Sequence, residues 1–97
     1  MNKVLCSIYD CKAEYYSTPR SFRTKMDALR SFEAAVNSDD GYGTHPADFT
    51  LFVVGEFDEL TGFISNGVIE PLENGINLVK SPTINDLREG LKINEDA

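Results

Sequence analysis

Tryptophan is missing from the chain, histidine occurs once, cysteine twice, and nine cations face sixteen anions. Each shortage closes off a class of function. With His45 as the single imidazole and no nucleophile elbow or phosphate loop, nothing in the sequence assembles acid–base or nucleophilic chemistry, so a non-enzymatic protein is expected. Gly41 and Gly43 fail to complete a dinucleotide fingerprint because Pro46 occupies the last position, and no cofactor is implied. Asp39, Asp40 and Asp48 miss the calcium-loop spacing at its first and last positions and read as helix-ending and turn residues instead. Cys6 and Cys11, if the chain between them is extended, lie about 16 Å apart, beyond disulfide reach. They read as free thiols of a reducing compartment, and too few further ligands exist for zinc. No apolar run approaches the roughly 20 residues that span a bilayer, and the start MNKVLCSIYD has no signal-peptide pattern, which points to a cytosolic protein with no membrane partner.

What is present is an ordinary globular composition, 41 % apolar and 26 % charged, over 97 residues. That is one domain, 1–97, with a modest core that invites self-association, most simply as a homodimer. The formal charge of −7 is unevenly spread: residues 1–30 carry six cations against three anions, and residues 31–97 three against thirteen. An acidic body repels nucleic acid at long range, yet a local positive face still acts within a Debye length of about 8 Å.

The alternating segment KVLCSIYD, residues 3–10, predicts a strand with apolar groups on both faces, hence a central one. CKAEYYSTPRSF, residues 11–22, shows no sustained period and is expected to be a loop. A helix over about 24–37 follows from the cap-like Thr24 and Asp27 and from a stripe of Met26, Leu29, Phe32 and Val36, interrupted by Glu33. Asp48 to Phe57 reads as a core strand in which Gly55 marks a bulge or a close approach. Asp58 to Gly62 reads as a hairpin connection into Phe63-Ile64-Ser65, and Asn66-Gly67 as a tight turn. Ile76 to Val79 is expected as a last strand, residues 81–92 as a helix with Ile84, Leu87 and Leu91 on one face, and 93–97 as a frayed polar tail. The order β-α-β-β-β-α describes an α+β fold, a mostly antiparallel sheet with the main helix packed on one face.

One stretch runs against the acidic balance. In YYSTPRSFRTK, residues 15–25, Tyr15, Tyr16 and Phe22 are interleaved with Arg20, Arg23 and Lys25, and Lys12 lies just before. Single-stranded nucleic acid is bound by this mixture, rings stacking on bases and cations holding phosphates. The bland alternative has Phe22 and one tyrosine packed on the sheet and the cations simply solvated.

Several short words occur in a familiar order. They are Ser7-Ile8-Tyr9-Asp10 with Lys12-Ala13, then Arg30, Phe32 and Val36-Asn37, then His45-Pro46, Asp48, Leu51-Phe52, Gly55, Asp58 and Thr61-Gly62. Over residues 7–62 the chain resembles the small nonstructural protein of gokushovirus-type microviruses, tailless phages with circular single-stranded DNA genomes. Beyond Phe63 nothing recognisable recurs. The resemblance implies a non-enzymatic protein of the infected bacterial cytoplasm, absent from the virion, that supports viral single-strand synthesis and genome packaging. It carries over no catalytic residue, but it implies that Lys12, Tyr15, Tyr16, Arg20, Arg23 and Lys25 meet single-stranded DNA or a replication protein. Two functions follow: a dimer presenting this segment to single-stranded DNA, or an acidic adaptor that binds a phage or host replication or packaging factor without touching DNA.

Overall fold

A computed structural model describes residues 2–38, 41–65, 67 and 69–80. The expected helix over 81–92, the tail 93–97, Asn66 of the Asn-Gly turn, Asp39 and Asp40 lie outside the described residues.

Two long strands form the centre. Strand β1 (Asn2–Asp10) and strand β4 (Phe49–Asp58) pair antiparallel along their whole length, from Asn2 opposite Asp58 to Asp10 opposite Phe49. Each is followed by a return strand broken into two pieces. After β1 the chain returns as β2 (Tyr15–Tyr16), opposite Tyr9 and Asp10, and then as β3 (Arg20–Phe22), opposite Val4 to Cys6. After β4 it returns as β5 (Ile64–Ser65), opposite Glu56 and Phe57, and β6 (Glu70–Asn74), opposite Thr50 to Val53. The result is a six-stranded antiparallel half-barrel with one helix, α1 (Lys25–Val36), an α+β fold.

This differs from expectation at two places. Residues 15–22 are not loop throughout: β2 and β3 lie in the sheet before α1, so the described order is β-β-β-α-β-β-β. Ser17 holds the break between them, donating its amide to the Ile8 carbonyl at 2.8 Å and accepting the Ile8 amide on Oγ at 2.9 Å. Likewise Ile76 to Val79 is no strand. Gly75–Leu78 is a 3-10 turn, because the Asn74 side chain accepts the Ile76 amide at 2.9 Å and curls the chain there, and the strand precedes it as β6.

Helix α1 starts where the cap demands. Thr24 is extended (φ −142°, ψ 163°) and its Oγ1 accepts the Asp27 amide at 3.1 Å, satisfying a donor that the helix leaves unpaired. Asn37 ends it: its Nδ2 donates to the Glu33 and Leu78 carbonyls at 2.8 and 2.9 Å, and its Oδ1 accepts the Lys80 amide at 2.9 Å. The buried stripe is Ala28, Phe32 and Val36, packed on Cys6, Leu51 and Val53 of the sheet, while Met26, expected in the stripe, is exposed. A spacing of four carries the stripe up one face, and Met26 falls off that line.

Gly55 serves both expected purposes. The register shifts beside it, with Leu5 opposite Gly55 and Cys6 opposite Val53, so Val54 is the extra residue of a bulge. A Cβ on Gly55 would lie 2.8 Å from the Ser65 carbonyl oxygen.

Candidate nucleic-acid interface

The segment singled out by its cations and rings runs along one edge of the half-barrel. From the pair Asp10–Tyr15 to the pair Val4–Phe22 is six residues of β1, or about 20 Å. Lys12 stands on the turn between β1 and β2, exposed. The Asp10 carboxylate builds that turn by accepting the amides of Lys12 and Ala13 at 3.0 and 3.1 Å, and Glu14 takes a left-handed conformation, φ 62°, to close it.

Tyr15 and Tyr16 lie side by side in β2, so they point to opposite faces of the sheet. Tyr16 is on the face away from the helix. Its ring centroid is 4.7 Å from that of Tyr9, its cross-strand partner, and 5.5 Å edge-on from Phe52, which itself lies 6.3 Å from Tyr9. The three rings support one another, yet Tyr16 remains 42 % exposed. Tyr15 is on the helix side, 62 % exposed, at the rim of a small recess with Tyr42 and Phe49. The pair is therefore not one continuous platform. Tyr9 and Phe52 belong to the candidate site although their sequence context does not single them out. The signal that finds them is register, because alternation puts Tyr9 and Phe52 on the same face as Tyr16 once the pairings are known.

The cations divide. Arg20 pairs with Cys6 across the strands, and its guanidinium carbon lies 5.4 Å from the centre of the Phe22 ring, on the helix side of the sheet. Arg23 is exposed in the link to α1. Lys25 is engaged: its Nζ meets the Glu70 carboxylate at 3.2 Å, both side chains half exposed, an ion pair worth little to stability but one that offsets its charge. Lys12, Arg20 and Arg23 form no ion pair among the described residues. Phe22 packs against the core, as the bland reading of this ring requires.

A sequence profile of the family described as Phage ORF5 protein matches residues 3–79. The chain belongs to the Phage ORF5 protein family. No curated protein and no solved structure matches it. The ORF5 match runs from within β1 to the 3-10 turn after β6, and so extends past the residues 7–62 over which the microvirus resemblance was read. In this ORF5 protein the whole edge, Lys12 to Lys25 together with Tyr9 and Phe52, lies inside the matched region.

The remaining chemistry of the ORF5 chain is sparse. His45 is exposed and its carbonyl accepts the Asp48 amide at 3.0 Å in a 3-10 turn. Cys6 is buried and Cys11 exposed, both unpaired thiols. Burial pushes the Cys6 thiol above its ordinary value, and nearby Lys25 pulls the other way. Among the described residues no three potential ligands gather for a metal, and no helix is long and apolar enough to cross a membrane.

Proposed function

We propose that this ORF5 protein is a non-enzymatic phage nonstructural protein that works in the host cytoplasm, outside the finished virion, and supports viral single-stranded DNA synthesis and packaging by binding the single strand as a dimer. The observation that carries the reading is the edge itself. Tyr16, backed by Tyr9 and Phe52 yet open to solvent on the outer face, lies along the edge that runs from Lys12 on the turn to Arg23 in the link to α1, with Arg20 over the rim on the helix side, and none of these cations has an ion-pair partner among the described residues. A ring held by other rings stacks a base at little cost in side-chain entropy, and cations on either side hold the flanking phosphates. The family is a phage family, and the resemblance to microvirus nonstructural proteins points the same way. A formal charge of −7 speaks against extensive coating of DNA, which needs many phosphate neutralisations, and favours a short binding site repeated by two copies.

The test is the affinity of a fluorescent thymidine oligonucleotide across a salt series. Binding that weakens steeply with salt is expected. Replacing Lys12, Arg20 and Arg23 by Ala should flatten the slope by about 0.7 for each phosphate no longer neutralised, whereas Tyr16→Ala should weaken binding with the slope kept. A native protein that ignores the oligonucleotide at low salt sinks the reading.

A second reading has its own observation. At the far end of the sheet Leu60 is 85 % and Phe63 75 % exposed, with Ile64 and Ile69 close behind, and Glu56, Glu59 and Glu70 stand exposed around them. An apolar tip whose margin carries Glu56 and the ion pairs Lys3–Glu59 and Lys25–Glu70 suits a protein partner, the adaptor function, in which a replication or packaging factor is bound without DNA. Leu60→Ser with Phe63→Ser separates the two, since it should leave oligonucleotide binding unchanged.

A further inference from the structure

Between the inner face of the sheet and α1 lies a cavity of about 310 Å³ that the DNA-binding edge does not use except through Arg20. Its origin is plain in the sequence. Beside β3 the part of α1 that lines the space carries the short side chains Ala28, Ser31 and Ala35 next to Phe32. Protein interiors are otherwise packed to crystal density, and a space of this volume falls at the lower end of the range for small-ligand sites. Phe22, Phe32 and Leu51 supply apolar walls.

Among the polar side chains at the wall the Ser17 hydroxyl is already taken, by the Ile8 amide and Ser7. The Arg20 guanidinium rests on the Phe22 ring and makes no hydrogen bond or ion pair among the described residues. The hydroxyls of Thr18 and Ser31, which also line the space, make none either. Among the described residues no carboxylate lines it, and Arg20 is the single charge there. An apolar chamber with one unmatched cation and two free hydroxyls is complementary to one kind of molecule.

We propose that this cavity binds a small amphipathic anion, its flat or branched apolar body against Phe22, Phe32 and Leu51 and its head on Arg20 and the neighbouring hydroxyls. The site is separate from the stacking surface of Tyr16, which lies on the other face of the sheet. Binding is measured without DNA, so its failure leaves the DNA reading standing.

The experiment uses two fluorescent probes, 8-anilinonaphthalene-1-sulfonate and the uncharged N-phenyl-1-naphthylamine. One saturable site for the sulfonate is expected. Arg20→Ala, an exposed position whose truncation spares the core, should weaken the sulfonate about tenfold and leave the neutral probe within about twofold, since a charge-assisted hydrogen bond disappears and the apolar walls stay. Ala35→Leu should abolish both by filling the space, with circular dichroism showing that the helix is kept. Should that variant not fold, amide shifts at Cys6 and Ala35 on adding the sulfonate to the native chain locate the probe. Sulfonate bound as tightly by Arg20→Ala as by the native chain, or shifts confined to the outer face, overturns the proposal. Competition identifies the head: displacement by octanoate assigns a carboxylate, displacement by thymidine monophosphate a phosphate, and displacement by neither counts against an anion site.

Discussion

Cys6 and Cys11 lie five positions apart and meet opposite environments. Cys6 is 2 % exposed between sheet and helix, and burial keeps its thiol protonated above the ordinary range, whereas Cys11 stands in the open on the β1–β2 turn. Only the thiolate attacks an alkylating reagent. Iodoacetamide at mildly alkaline pH should therefore modify Cys11 alone, one adduct by mass spectrometry, with the second appearing only in denaturant. A second single-residue effect sits at Asp58. Its carboxylate accepts the Leu60 amide at 2.9 Å, and this bond, aided by Thr61, holds its pKa below the ordinary 3.8. Because the folded value is the lower one, the contribution to the turn is complete above 3.8 and is lost as pH falls through the folded value. Amide shifts of Leu60 and Gly62 should hold steady down to that point and move below it. Movement well above it contradicts the assignment. Gly62, at φ 79°, is the position in this turn that needs glycine, and the composition of Asp58 to Gly62 foretold the hairpin though not which residue turns left-handed.

At the scale of elements, what could be read from the sequence is what local pattern decides. Alternation marks β1, the 3.6-residue stripe and the Thr24 cap mark α1, and an unbroken apolar run marks β4. Strands β2 and β3, two and three residues long, carry no period of their own and exist because β1 offers an edge for them to pair with. That is tertiary information, and it also decides the site: the types of Tyr15, Tyr16 and Arg20 are visible in the sequence, while their division between two faces and the company of Tyr9 and Phe52 depend on register. The apolar run INLV misled for a different reason. Asn74 ends β6 with three side-chain bonds, donating to the Ala47 carbonyl and to Thr50 Oγ1 at 3.0 Å each and accepting the Ile76 amide. Gly75 then packs so closely on the Pro46 carbonyl that no Cβ would fit. Asn74→Ala should cost about 1–3 kcal/mol in urea unfolding, because it strands a cap and two cross-element partners. A change near zero would mean that Asn74 does not hold the 3-10 turn to β4.

For the whole molecule, the end of the outer sheet face away from Tyr16 bears Leu5, Phe57 and Ile64, and no second layer covers it among the described residues. A twofold pairing of this face with its copy is the simplest cover. Light scattering at micromolar concentration should return the mass of two chains, and Phe57→Asp, far from the Tyr16 rings, should return that of one. A native protein that stays monomeric removes the pairing from the functional proposal. The two tyrosines of β2 carry a last consequence, one of stiffness. A polymer touching both Tyr15 and Tyr16 has to fold over the rim of the sheet within the width of a single strand, because the rings point to opposite sides. Single strands bend that sharply with ease, whereas duplex DNA keeps its direction over about 50 nm. The rim thus selects by flexibility before any base is read, and a duplex of the same sequence should compete poorly for the protein even though it offers twice the phosphates.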